Sequence, residues 1–194
     1  MNAFVKLAGR FARPDPKNLT AEQQKVVDEV MASRGSDRGR PYSFRGAFYP
    51  VLQNPELLSP MQKVGEYLRF KCHLSEDLVE LAILISLRQC NCRYAWDGHA
   101  PNALKAGLPA NVIQAVGENR RPAGMSPAVT AVHDFAIALH REKQVSDELF
   151  AAARGHVGEQ GLLDVVAICG YYTMVGMVIA ADRTPIPEGR SAPF

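Results

Sequence analysis

The sequence has little of what several common protein classes need. Its four cysteines, Cys72, Cys90, Cys92 and Cys169, have no framework spacing in a chain of 194 residues. A disulfide-stapled secreted scaffold is thereby disfavoured, and a reducing cytoplasm fits. No block of like charge occurs: 22 basic and 20 acidic residues are spread to a net charge of +2, which argues against nucleic acid as a partner. No glycine-rich phosphate loop follows a strand, so nucleotide cofactors are not indicated. The first fourteen residues carry Lys6, Arg10 and Arg13 without an acid, but lack the apolar core of a secretory signal, and read as a loose basic tail. One stretch, Leu162 to Ala181, approaches the ~20 apolar residues that cross a bilayer. It holds Asp164, Thr173, Tyr171, Tyr172 and two glycines, so a buried core or subunit-interface helix is the better reading than a membrane span.

What the sequence does have is helix signals, with hardly any for strands. A hydrophobic content of 47% can bury one sizeable core. The expected architecture is all-α, a single-domain helical bundle over residues 45–189, with an N-terminal extension and linker over 1–44 and a short tail over 190–194. Thr20 and Gln23 form a capping-box pattern opening a helix over 21–34. RGSDRGRP, residues 34–41, reads as the linker. Asn54 before Pro55 opens a helix to about Cys72, which Pro60 and Gly65 weaken or divide. Ser75 caps one to about Gln89, and a further helix over 92–106 should break or kink at Pro101. A short element spans 109–116. Ser126 and Ser146 cap the next two, and an apolar helix over 159–182 closes the chain.

The chemistry concentrates in two of these helices. LVELAILISL, residues 78–87, is apolar on every face except at Glu80 and Ser86, the pattern of a fully buried helix. A carboxylate held there is desolvated, which disfavours its ionised form unless a partner charge compensates. Such an acid is either paired for structure or poised for proton transfer. Cys92 and His99, seven residues apart, share a helical face with Ala95 and Trp96 between them. His99 taken alone reads more readily as a satisfied surface or helix-end residue than as a proton carrier. Cys90 and Cys92 form a C-x-C whose side chains should point to different helix faces. Cys72, His73, Cys90, Cys92 and His99 lack zinc-finger spacing, so no metal is expected. His133, His140 and His156 read as surface residues and Cys169 as a small core residue.

The run CRYAWDGHAPNALKAGLP, preceded by VELAILISLRQCN, resembles the core of the carboxymuconolactone decarboxylase family within the alkylhydroperoxidase-like superfamily. In the peroxidase branch a glutamate stands nineteen residues before a histidine with a C-x-x-C pair between them. Glu80 and His99 match that separation, Cys92 takes the first cysteine position, and Ala95 stands at the second. Without the resolving thiol, the pattern with Tyr94 and Trp96 before His99 is similar to the non-redox branch. The later GLLDVVAICGYYTMVGMVIAADRTPIPEG is similar to that branch's closing helix.

The resemblance implies an alkylhydroperoxidase-like bundle assembling with itself as a ring of three or six subunits. It also implies a cofactor-free lyase acting on a small carboxylated lactone or related ring compound. Loss of carbon dioxide leaves electrons that the substrate's own conjugated carbonyl absorbs, so no metal or coenzyme is required; a donor for the enolate oxygen and a positioned acid are. In that reading His99 moves the proton, Glu80 orients or charges it, and Cys92 lines the pocket. Tyr94 and Trp96 wall the pocket, and Arg88 and Arg93 either anchor the anionic substrate or are ordinary solvated arginines. The alternatives are a thiol-dependent peroxidase or redox sensor using Cys92, an isomerase or hydrolase of the same superfamily, or an interaction module without catalysis.

Overall fold

The computed structural model describes residues 9–34 and 44–194, and among these no strand forms. The elements are α1 (Ala21–Arg34), α2 (Phe48–Val51), α3 (Pro55–Phe70), α4 (Glu76–Gln89), α5 (Arg93–Lys105), α6 (Ala110–Gly117), α7 (Pro127–Arg141) and α8 (Asp147–Asp182). Residues 35–41 of the expected linker, and Lys6, lie outside the described residues. The chain divides into two compact units, residues up to Tyr67 with Val178–Pro185, and Leu68–Met177 with Ile186–Phe194. The division falls inside α3 and not at the glycine-rich linker.

Local signals account for most helix starts. The Thr20 hydroxyl accepts from the Gln23 amide at 3.2 Å while the Gln23 side chain accepts from the Thr20 amide at 3.0 Å, a closed capping box. Asn54 accepts from the Leu57 amide at 3.1 Å, and Ser126 and Ser146 accept from the amides of Val129 and Leu149, each at 3.3 Å. Each bond satisfies one of the orphan donors of a helix's first turn. Two expectations about breakers need correction. α3 runs undivided through Pro60 and Gly65, and α5 runs through Pro101 without a break. A proline removes only one ladder bond, and in α5 the Asn102 side-chain Nδ2 donates to the Gly98 carbonyl at 3.0 Å beside the gap. In α8 the break falls at Gly158, whose φ of 71° and ψ of 176° separate two rods; glycine is the residue that tolerates this backbone.

In the first unit, Val26, Val27 and Val30 of α1, Phe44, Phe48, Leu52, Leu58 and Met61 are buried. The expected loose N-terminal tail is, from Gly9 onward, tied down. The Arg10 amide bonds the Asp182 carbonyl at 2.8 Å, and the Arg13 guanidinium grips the Asp182 carboxylate at 2.6 and 2.9 Å. Tyr49 donates to the Pro14 carbonyl at 3.1 Å.

The second unit is organised around α4, which packs against α5, α6 and α7. Every residue from Leu78 to Leu87 is buried, as its unbroken apolar pattern requires. Leu81, Ile83, Leu84, Ile85 and Leu87 have no exposed surface, each contributing on the order of 2 kcal/mol of hydrophobic stabilisation. A rigid, water-free rod is thus the platform on which Glu80 sits.

Candidate active site

Glu80 lies in the second turn of α4 with 1% of its side chain exposed, and His99 lies midway along α5 with 12% exposed. The His99 Nδ1 and Glu80 Oε2 are 2.8 Å apart. Two helices that pack along their length bring together residues nineteen apart in sequence, and the close α4–α5 packing keeps them there. With Nδ1 directed at the carboxylate, Nε2 is the ring nitrogen left for another partner. Of the two residues the histidine is the one with access to solvent. Edge-on to the imidazole, at 5.1 Å between centroids and 88° between planes, stands the ring of Tyr172 from α8. Tyr172 is 4% exposed and in turn meets Tyr171 at 5.3 Å. Sequence reasoning placed this tyrosine only in an apolar closing helix, because nothing local to GYYT indicates which neighbour it faces.

The remaining sequence candidates take different positions. Arg88 donates to the Gly117 carbonyl at 2.8 Å and to Asn91 Oδ1 at 2.7 Å, and its guanidinium covers the Phe194 ring at 4.5 Å. Trp96, 3% exposed, meets the same Phe194 edge-on at 5.2 Å. The terminal phenylalanine therefore unites Arg88 and Trp96 in a cluster of its own. Arg93 is exposed at the first position of α5, and Tyr94 is half-buried beside it.

The two neighbouring cysteines depart from expectation. They do not occupy different faces of one helix: Cys90 ends α4 and Cys92 begins α5, with Asn91 between them at φ 52°. That left-handed residue folds the corner back, and the Cys92 amide bonds the Leu87 carbonyl at 2.8 Å. The Cys90 thiol donates to the Leu87 carbonyl at 3.5 Å. Interaction with Cys92 holds the Cys90 thiol below its ordinary pKa, whereas Cys90 and then burial push Cys92 far up. Cys169 is 2% exposed, and burial raises its thiol to about 11.

The surface histidines also need correction. His133 is 3% exposed and its Nδ1 lies 2.7 Å from Asp134 Oδ1. His140 is half-buried with Nε2 3.0 Å from the Ser86 hydroxyl, which donates to the Ala82 carbonyl at 2.7 Å. His156 alone of the three is exposed. Both misread residues sit on α7, whose inner face covers α4. A cavity of about 340 Å³ lies beside His133, lined also by Val116, Asn119, Arg121, Arg141 and Leu149. Neither Glu80 nor His99 lines it. Its cations are spent on protein partners: Arg121 on Asp134 at 2.8 Å, Arg120 on Glu118 and Arg141 on Asn119. The buried acid–imidazole pair is the better candidate for chemistry, because a sealed carboxylate orients an imidazole that keeps solvent access.

Comparison with known proteins agrees with this geometry. The carboxymuconolactone decarboxylase family profile matches residues 55–138, from the start of α3 into α7. A solved structure described as the alkylhydroperoxidase AhpD core, an uncharacterized peroxidase-related protein from Ralstonia eutropha JMP134, superposes with a TM-score of 0.76. Its identity is 17%, and 95% of each chain is covered. The apo debrominase Bmp8 superposes at 0.68 with 17% identity over 91% of both chains. A cysteine-to-alanine variant of Bmp8 with 2,3,4-tribromopyrrole superposes at 0.67 and 17% identity, covering 91% of this chain and 95% of its own. Among curated proteins none matches. At such identities the superpositions establish an all-helical, AhpD-like fold.

Proposed function

We propose that this chain, whose residues 55–138 match the carboxymuconolactone decarboxylase family profile, uses Glu80 and His99 for proton transfer in a cofactor-free lyase reaction of that family. The substrate is a small carboxylated lactone or related ring compound. The observation that carries the reading is the 2.8 Å bond between a sealed carboxylate and an imidazole that retains solvent access. A buried acid fixes the tautomer of its histidine and stabilises the imidazolium, so the free nitrogen can hold a proton ready for delivery.

The reaction divides simply. The bond from the ring carbon to the carboxylate breaks and carbon dioxide departs. The electron pair moves through the conjugated system into an enolate at the lactone carbonyl, and His99 Nε2 delivers a proton to carbon as the enolate collapses. The substrate is its own electron sink, so the reading calls for no metal or coenzyme. Tyr172 fixes the ring plane of His99. Tyr94, half-buried on α5, contributes an apolar wall with Cys92 while Trp96 stays with Arg88 and Phe194 in their separate cluster, and Arg93, exposed at the N-terminal end of α5, is the cation better disposed than Arg88 to meet an anionic substrate. Isomerisation or ring opening would use the same enolate-stabilising equipment.

The test is carbon dioxide release from 4-carboxymuconolactone by the wild-type protein beside His99→Ala. Release by the wild type, lost in the variant, supports both reaction and residue. Equal release by both would remove His99 from the mechanism, and silence from the wild type would remove the decarboxylation.

We further infer a homo-oligomer, a ring of three or six copies, in the reducing cytoplasm. Its support is one face of α8. Leu163 and Met177 are 63% and 64% exposed, and Val166 and Met174 are exposed between them. Ala167 and Gly170 complete an apolar stripe at helical spacing. α8 is long and apolar enough to cross a membrane by length and composition, yet 56% of its apolar window is buried within the protein. Its Asp164 is occupied by the backbone amide and ring of His73 at 2.7 and 3.1 Å. A second copy of this chain is the cover we assign to the stripe. Sedimentation should give an oligomer that Leu163→Glu with Met177→Lys reduces to monomers, and a wild-type monomer at micromolar concentration would refute the inference.

A further inference from the structure

We propose that the cavity beside His133 is a second small-molecule site, independent of the Glu80–His99 reading, which binds a compact carboxylic acid that also carries a hydrogen-bond donor, an aliphatic α-amino acid being the best match. Its volume of about 340 Å³ falls within the range of roughly 300–1,000 Å³ that small-molecule sites occupy. Buried Val116 and half-buried Ile137 and Leu149 give it apolar wall. Two polar groups in it remain incompletely matched by the protein.

The first is Arg141. All three arginines of the cavity are hydrogen-bonded, but their partners differ in charge. Arg121 meets the Asp134 carboxylate at 2.8 and 3.1 Å, and Arg120 meets Glu118, so each of these cations is matched by an anion. Arg141 instead bonds the side-chain carbonyl of Asn119 and, at 3.4 Å, that of Gln89. Gln89 donates in turn to Asn119 at 3.0 Å. Both partners are neutral carboxamides: they orient the guanidinium and leave its charge unmatched. Their bonds use Nε and Nη2, and Nη1 has no protein acceptor among the described residues. A guanidinium keeps its charge at any physiological pH, and its planar fork suits a carboxylate.

The second is His133, 3% exposed. Burial, opposed by Asp134 and aided by the charges of Arg121 and Arg141, lowers its pKa, so the ring is neutral near neutrality. Asp134 accepts from Nδ1 at 2.7 Å, which leaves the lone pair on Nε2. Nε2 has no protein partner among the described residues, and none of their buried side-chain nitrogens is sealed without one. It therefore opens on the cavity that the ring lines, as an acceptor for an incoming N–H or O–H. Two acids complete the lining. Asp134 is occupied by Arg121 and His133, whereas Glu142 is exposed and follows Arg141 in sequence. An anion there attracts an ammonium and disfavours a ligand with negative charge alone. A plain carboxylic acid satisfies Arg141 only, and a plain amine satisfies His133 and Glu142 only. An aliphatic amino acid meets all three and lays its side chain on the apolar wall.

Titration calorimetry of the full-length protein with probes of one carbon skeleton tests this: L-leucine, 2-hydroxy-4-methylpentanoate, 4-methylpentanoate and 3-methylbutylamine. L-Leucine should bind with a dissociation constant below about 1 mM, and the hydroxy acid more weakly. The last two should each lose at least about tenfold relative to leucine, because each lacks one of the anchored groups. Arg141→Met should weaken leucine by about tenfold or more, and Glu142→Gln should weaken leucine while sparing the hydroxy acid. In the wild type, leucine should shift the His133 Nε2 resonance in imidazole nitrogen spectra and leave that of exposed His156 in place. Should Arg141→Met lose helical circular dichroism, that resonance decides alone. His99→Ala should bind leucine as the wild type does, so this site and the decarboxylation reading fail separately. Absence of saturation by leucine and by the hydroxy acid at about 10 mM, equal binding of 4-methylpentanoate, or undiminished leucine affinity in Arg141→Met would overturn the proposal.

Discussion

Asp182 in one compact unit and Glu80 in the other are both sealed carboxylates, and the two differ in their partners. Asp182, with no side-chain exposure, is held by Arg13 at 2.6 and 2.9 Å, by the Phe11 amide at 3.0 Å and by the Thr184 hydroxyl. Burial alone would raise its pKa, but the hydrogen bonds from Arg13, Thr184 and Phe11 hold it below the ordinary carboxylate value. Its principal partner is a guanidinium, which never loses its proton. Glu80, 1% exposed, bonds a histidine, the side chain that gains and loses a proton near neutrality. The same kind of buried acid is clamped by a guanidinium in one unit and bonds an imidazole in the other. Comparable burial therefore says little about role, and the titratability of the partner says much.

The largest expected effect lies at the titrating pair. His99→Ala should lower turnover per folded molecule by about a hundred- to ten-thousand-fold, beyond any loss of stability from stranding the sealed Glu80 carboxylate. Glu80→Gln, which keeps an acceptor but loses the charge, should cost less, about tenfold to a hundredfold. Undiminished turnover in Glu80→Gln would reduce the acid to a spacer and erase the contrast with Asp182. At the clamp the loss should fall on stability: Arg13→Ala strands a buried carboxylate and should cost about 3 kcal/mol, read from the urea midpoint, with turnover per folded molecule retained.

Acid sharpens the same contrast. Asp182 has a depressed folded value, so its contribution is fully present above the ordinary aspartate value of 3.8 and is lost as pH falls through the depressed one. Wild type should lose stability steeply below about pH 4, and Arg13→Ala should show a shallower slope. His133 and His140, both lowered first by burial, should produce a gentler loss that begins as pH falls below 6.5, because the unfolded chain then binds protons the folded one refuses. Urea midpoints across that range would separate the two limbs. The smallest effect belongs to the capping box: Thr20→Ala should cost about 1 kcal/mol, and a change near zero would mean the first turn of α1 is held by packing alone.

Much of the fold was legible because its signals are local. A hydroxyl or amide side chain three residues before an orphan N–H specifies a helix start without reference to the rest of the chain, as at Thr20, Asn54, Ser126 and Ser146. The apolar run around Glu80 likewise announced its burial, and the resemblance to a family with a histidine nineteen residues after its glutamate pointed to His99 as its partner. Tyr172 could not be found this way, since it reaches His99 from α8, 73 positions on. Pro101 misled because a lost ladder bond is a modest local penalty that packing on both sides of α5 outweighs. His133 misled because its charged neighbour in sequence, Asp134, is a hydrogen-bond partner at 2.7 Å and not a sign of exposure, the imidazole being 4% exposed.

The sequence by itself determined an all-helical chain and the burial of α4, which follow from periodicity, capping and composition acting over a few residues; Glu80 and His99, the carboxylate and imidazole that α4 and α5 bring together, were paired by the family resemblance. Only the tertiary structure decided which groups surround that pair: Tyr172 edge-on to His99, Phe194 drawing Arg88 and Trp96 into a separate cluster, and Gly176 making room for two adjacent thiols. Side-chain neighbours across helices depend on crossing geometry and on the register of each rod, and neither is written in any one segment.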